Sequence, residues 1–328
     1  MFTFILKRLL ALIPVFFGGT ILLFGLMQLA PGDMLSGLRQ EPRVKPETIE
    51  RLEKKFLLDQ PIPIQYGAWV VNLLQGDLGS SFINGDQPVT SVIGRPIVNS
   101  LWIVIPELIL GYLISVPLGI FTALRQNKFP DIAIGVTSFF LAAFPSFFLG
   151  LIIVFLLLNF KFATGYALLP IGGMTSDTHD FMNPLEQFLD IARHAIAPVF
   201  TLLLLDASIS SRFFRAQILD ALGQDYIRTA KSKGLSENVV MYKHVLRNAS
   251  VPFIASIGGT LPGLIGGAGL IEYIFNWPGI TPTILAALGA KDVFLYVGFV
   301  AITLVLLAIG NLLADLLLAV VDPRIRYG

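Results

Sequence analysis

No cysteine occurs among the 328 residues, which excludes disulfides, thiolate metal sites and cysteine nucleophiles. Charge is scarce too. Only 14% of the residues are Asp, Glu, Lys or Arg, where a soluble domain carries about a quarter. His179, His194 and His244 are the three histidines, scattered along the sequence, and no His-Glu-x-x-His pair points to a zinc site. The chain has no Gly-x-x-x-x-Gly-Lys-Ser/Thr phosphate loop, no internal repeat and no low-complexity segment. A net charge of +1 leaves no basic excess to neutralise a nucleic-acid backbone. No nucleophile–base pair or metal cluster is recognisable, so no catalytic residue and no metal ligand is expected. What is present is hydrocarbon: 55% of the residues are hydrophobic and the mean hydropathy is +0.75. Such a chain reads as an integral membrane protein.

Six apolar segments are long enough to span a bilayer: Leu9–Ala30, Ser100–Leu124, Ile132–Phe160, Ala195–Ser211, Val251–Leu270 and Val293–Val321. The first follows Lys7 and Arg8 as a signal peptide would. Its length exceeds the roughly 7–15 apolar residues of a signal core, and Pro31-Gly32-Asp33 follows it in place of a small-x-small cleavage pattern. It is read as an uncleaved span. All six should be helices, because a lipid-exposed backbone must satisfy its own hydrogen bonds. Lys7, Arg8, Arg125, Lys128, the basic residues between Arg212 and Arg247, Arg324 and Arg326 then fall on one face, which the positive-inside rule makes cytoplasmic. Both termini share that face.

The opposite face holds the long loop after the first span, residues 31–99, in which basic and acidic residues offset one another. Within it, Pro46 to Leu58 reads as an amphipathic helix with Ile49, Leu52 and Phe56 at helical spacing. Tyr66 to Leu74 gives a second helical pattern, and Gly76-Asp77-Leu78-Gly79-Ser80-Ser81 a turn. The loop is either a structured cap or a platform for a solute receptor.

A polar island lies between the fourth and fifth spans and carries Arg228, Lys231, Lys233, Lys243 and Arg247. The first of two short helices is expected from about Ala216 to Lys233. Gly234 ends it, a residue suited to the left-handed conformation. The second starts at Ser236 as N-cap, with Glu237 in its first turn and Lys243, His244 and Arg247 near its end, in the order that suits the helix dipole. On composition alone the island could also be a basic loop held at anionic headgroups.

Within the spans, Glu107, Asp206 and Asp315 are ionisable groups that hydrocarbon disfavours. Asp206 heads a stripe with Ser208, Ser210 and Ser211; Asp206 and Ser210 are candidates for a translocation path, the alternative being pairing with a neighbouring helix. Gly259, Gly263 and Gly267 recur at every fourth residue of the fifth span and would share a packing face.

The island, Asp225-Tyr-Ile-Arg-Thr-Ala-Lys-Ser-Lys-Gly-Leu followed by His244-x-Leu-Arg-Asn and Pro252, resembles the loop of bacterial dipeptide/oligopeptide ABC importer permeases, the binding-protein-dependent transport inner-membrane component family. Lys7-Arg8-Leu9-Leu10 with Pro31-Gly32-Asp33, Gly76 to Ser81, Ile271 to Gly279, Asn311-Leu312-Leu313-x-Asp315 and Asp322 to Arg326 resemble further motifs of that family in the same order. Arg228 and Thr229 stand where the general importer loop has an acidic residue, a departure that suits the peptide branch.

The resemblance implies an all-α integral membrane fold with six transmembrane helices, a large extracytoplasmic loop after the first span and a cytoplasmic coupling-helix loop between spans four and five. It divides the chain into an N-terminal helix (1–30), an extracytoplasmic loop domain (31–99) and a five-helix importer domain (100–328) with its coupling loop at 212–250. It further implies a bacterial plasma-membrane permease, paired as a heterodimer with a second homologous permease. An extracytoplasmic solute-binding protein would feed it, and two ATP-binding subunits would drive it. ATP and magnesium would sit on those subunits, with no cofactor in this chain. Ala230, Lys233, Gly234, Leu235, Ser236, Val239, Tyr242, His244 and Arg247 would meet the ATPase. The cargo implied is a di- or oligopeptide; nickel, glutathione or a stand-alone secondary transporter are the alternatives.

Overall fold

The computed structural model describes residues 2–29, 34–39 and 45–321. The expected motifs at Pro31-Gly32-Asp33 and Asp322 to Arg326 lie outside the described residues. The described chain is mainly helical, with one two-stranded hairpin and an irregular connection over 165–183 that holds a single 3-10 turn.

Helix α1 covers Phe2–Leu29. A short turn at Ser36–Arg39 leads to α2, Pro46–Lys55, and α3, Ile62–Leu74. Pro46 opens α2 at a position where the missing N–H costs nothing, Glu47 sits in its first turn, and Lys54 and Lys55 sit in its last. The apolar side of α2 does what its spacing requires. Ile49, Leu52 and the adjoining Phe56 pack with Phe24 of α1 and Trp69 of α3 in one cluster. Strands β1, Ser80–Ser81, and β2, Gln87–Pro88, pair antiparallel with Ser80 opposite Pro88.

Helix α4 runs over Val89–Leu124, 36 residues, so its length is roughly 54 Å. The hydrocarbon core is about 30 Å thick, and α4 must reach well outside it. Pro96, Pro106 and Pro117 lie within it.

The expected third span, Ile132–Phe160, is two helices: α5, Phe129–Ala142, and α6, Ser146–Thr164. The break has a local cause. Pro145 lacks an N–H and its ring disfavours a helical conformation at Phe144. Helix α6 ends on Gly165 at φ +77°.

Helix α7, Pro184–Leu222, has 39 residues and starts with a complete capping box. The Glu186 N–H donates to Asn183 Oδ1 at 3.0 Å, and the Asn183 N–H donates to Glu186 Oε2 at 3.0 Å. The expected helix from Ala216 to Lys233 is therefore corrected. Arg212 to Leu222 continues the span, and the chain turns at Gly223-Gln224 before α8, Asp225–Ser232, begins. Helical winding resumes as α9 over 237–249, opened into a wider π turn over Val240–Val245.

The expected fifth span, Val251–Leu270, ends early. Helix α10 covers Val251–Gly266, 16 residues, because Gly267 at φ +75° and Gly269 at φ +59° take a backbone that other residues rarely adopt. Helices α11, Leu270–Ile274, α12, Ile280–Gly289, and α13, Val293–Val321, complete the chain. Among the described residues, five helices are long and apolar enough to cross a membrane: α1, α4, α6, α7 and α13.

Helices α4 and α7 form the longest seam of the bundle. Gly119 permits it: a Cβ there would lie 2.6 Å from Phe214 Cβ and 3.0 Å from the Ser211 carbonyl oxygen. Ile103, Leu157, Ala195, Val199, Ile271 and Trp277 form the core where α4, α6, α7 and α11 meet.

Candidate functional site

The elbow between α7 and α10 is built from the inside outward. Ile227 and Ala230 of α8 and Val240, Met241, Val245 and Ala249 of α9 are buried against Ala123 of α4 and Ile218 and Ala221 of α7. That underside fixes the elbow to the ends of the two longest helices. The connection needs a reversal within two or three residues, and Gly234 supplies it at φ +76° with open space around it. The Gly234 N–H closes the last turn of α8 onto the Lys231 carbonyl at 3.0 Å. Ser236 follows in an extended conformation; its side chain makes no capping hydrogen bond, so it holds the N-cap position through its backbone alone.

Everything from Lys231 to Val239 is exposed. Leu235 is 40% exposed, Val239 39% and Tyr242 64%, which leaves an uncovered apolar strip on a cationic rim. Lys231, Lys233 and Lys243 have no carboxylate at ion-pair distance among the described residues. Arg228 and Asp225 form a loose exposed pair at 3.4 Å, which contributes little. Burial pushes the Tyr226 phenol up from its usual value, offset in part by a hydrogen bond with Asn248 that ties α8 to α9. Of the nine residues marked in sequence, Lys233, Gly234, Leu235, Ser236, Val239, Tyr242 and Arg247 are exposed, and His244 is half-buried. Ala230, 6% exposed, faces inward and supports the elbow from below.

In the bundle, Asp206 on α7 is exposed and Ser210, one turn on, is half-buried. The Asp206 carboxyl neighbours that of Glu107 on α4. The rest of the serine stripe is turned back on its own helix. Ser208 Oγ donates to the Leu204 carbonyl at 2.6 Å, and Ser211 Oγ donates to the Ser208 carbonyl at 3.2 Å.

The glycine face expected on the fifth span is corrected at one position. Gly259 and Gly263 are exposed on α10 with open space where a Cβ would be, whereas Gly267 lies beyond the helix. A Cβ on Gly267 would lie 2.5 Å from Glu272 Oε1, and one on Gly279 would overlap the Glu272 carboxylate. Glu272 is fully buried and accepts from the Ala268 N–H at 2.8 Å and the Thr281 N–H at 2.9 Å.

Three further arrangements escaped the sequence reading. Arg215 of α7 donates twice to Asp131 of α5, at 2.5 and 2.7 Å. Asp292, fully buried, accepts from Ser81 Oγ at 2.7 Å and from the Leu295 N–H at 3.1 Å, clamping the hairpin to the start of α13. Two of the scattered histidines meet: His179 Nδ1 is 2.8 Å from Asp190 Oδ2, and His194 Nδ1 is 2.8 Å from the Asp190 carbonyl. An acidic residue just ahead of an apolar run was the available signal for Asp131 and Asp292.

A bundle of helices long and apolar enough to cross a bilayer defines a multi-pass membrane protein. The chain belongs to the binding-protein-dependent transport system inner membrane component family, whose sequence profile matches residues 115–327, with the family's N-terminal membrane component matching residues 1–100. It is 37% identical over 327 residues to the oligopeptide transport system permease protein AppB of Bacillus subtilis, covering 100% of both chains. It is 32% identical over 330 residues to the glutathione transport system permease protein GsiC of Salmonella typhimurium, again covering 100% of both. It is thus the permease subunit of an ABC importer, a multi-pass inner-membrane protein.

Proposed function

We propose that this permease carries di- or oligopeptides and is driven by two ATP-binding subunits, one of them seated on the α8–α9 elbow. ATP and Mg²⁺ sit on those subunits, and this chain performs no catalysis. An extracytoplasmic binding protein delivers the cargo, and a second, homologous permease completes the pore. The full-length likeness to an oligopeptide permease supports the cargo class. The single observation that carries the mechanism is the uncovered strip of Leu235, Val239 and Tyr242 on an elbow whose underside is locked to α4 and α7. A partner gripping that strip moves the ends of both helices together.

In this reading α10 and the reversal after it complete a six-span layout: an N-terminal span (1–30), an extracytoplasmic loop (31–99) and a five-span importer unit (100–328). Both termini face the cytoplasm, because Arg125, Lys128 and the basic elbow share one end. Lys233, Gly234, Leu235, Ser236, Val239, Tyr242, His244 and Arg247 form the docking face, with Ala230 as its support. Asp206 and Ser210 line the path, and Gly259 and Gly263 offer close approach to the second permease. The reversal at Gly267 lies outside that seam.

The test is Leu235→Asp in the assembled importer. These side chains are exposed, so the two permeases should assemble normally. ATP-driven peptide uptake should fall about tenfold or more, as for loss of a central interface contact. Wild-type uptake with the ATPases still co-purifying would overturn the docking. A glutathione cargo is the second reading, favoured by the end-to-end likeness to GsiC. Mass spectrometry of solute released from the native binding protein separates the two.

A further inference from the structure

Helices α5 and α7 enclose an open groove of about 670 Å³. Its walls are Ile132, Val136 and Phe139 of α5 and Ile209 and Phe213 of α7, every one of them exposed. Two arginines stand at its polar end and they differ in kind. Arg215 is neutralised by the two hydrogen bonds it donates to Asp131. Arg212, nearly one turn earlier on α7, has no carboxylate at ion-pair distance among the described residues. Its guanidinium lies over the Phe139 ring, 3.3 Å from the centroid, a contact that suits a delocalised cation and leaves its N–H edge available.

An apolar trough that opens sideways and ends in a half-buried, uncompensated guanidinium has the chemistry of an amphiphile site. The trough accepts hydrocarbon, and the arginine fork matches a phosphate. We infer that the α5–α7 groove binds an anionic phospholipid of the membrane, with its headgroup phosphate on Arg212 and one acyl chain along Val136 and Phe139. A zwitterionic lipid brings its own cation to the headgroup and gains less from Arg212. The bound lipid would brace α5 against α7 beside the Asp131–Arg215 pair, and so beside the helix that leads into the elbow.

The experiment uses the assembled importer, purified and equilibrated with phosphatidylglycerol and phosphatidylcholine of identical chains, with retained lipid counted by native mass spectrometry. Wild type should retain phosphatidylglycerol about fivefold over phosphatidylcholine, the preference that one basic residue near an anionic surface confers. Arg212→Gln should abolish that preference and Arg212→Lys should keep much of it. Arg125→Gln removes an exposed cation outside the groove that also lies over an aromatic ring, Phe121, and should change nothing. Equal retention of both lipids by wild type, or equal loss in the Arg125 variant, overturns the site. Displacement of phosphatidylglycerol by millimolar inorganic phosphate would make it a free-phosphate site and overturn the lipid assignment. So would a photo-crosslinker at position 139 that captures the second permease in place of lipid.

Discussion

Glu272 shows how one side chain can fix a reversal. Its carboxylate takes two backbone N–H groups, from Ala268 and Thr281, and the chain wraps it so closely that Gly267 and Gly279 have no room for a methyl group. Around it, Trp277 Nε1 donates to the Asn99 carbonyl and the Ile280 N–H donates to Ser100 Oγ, which ties the reversal to α4. Gly279→Ala should therefore cost about 1–3 kcal/mol, as overpacking does. It should read out as a lower apparent unfolding midpoint, followed through tryptophan fluorescence of the purified protein. Gly67→Ala in α3, with open space around it, should not lower the midpoint. Gly234 was legible in the sequence because a lysine-rich helix end, a glycine and a serine cap follow in order. Glu272 was not, because its partners are main-chain amides, and main-chain amides leave no mark in a sequence.

Among the elements, the long apolar helices were legible and their interruptions less so. Periodicity and length located α1, α4 and α13, whereas Pro145 within one apolar run splits it into α5 and α6. The boundary of α7 was misplaced because the polarity after Ser211 suggested the end of the span and a separate helix from Ala216; the helix simply extends beyond hydrocarbon thickness. The same polar stretch supplies Arg215, whose bond to Asp131 holds α5 on α7. Single variants Asp131→Ala and Arg215→Ala should each lower the apparent midpoint. A double-mutant cycle should return a coupling of about 1 kcal/mol, kept modest because Arg215 retains 28% exposure. Additive single effects would show that the pair contributes nothing as a pair.

At the scale of the molecule, the segment after α1 folds as part of the body. Phe56 stacks on Phe294 of α13 with ring centroids 5.6 Å apart, and Thr20 of α1 shares a hydrogen bond with Tyr66 of α3 at 2.8 Å. The amphipathic spacing of α2 foretold the packing but not the surface it would meet, since α13 lies more than two hundred residues along the chain. The other end of the molecule is built in reverse, with nine consecutive residues, Lys231 to Val239, left uncovered. Such a stretch is where a protease adapts a chain most readily. Limited trypsin digestion of the permease freed of its ATPases should cut first after Lys231 and Lys233, and the assembled importer should resist at the same two bonds. On the docking proposed above, the vanishing of those two cleavage products is a clock for the moment the machine is put together.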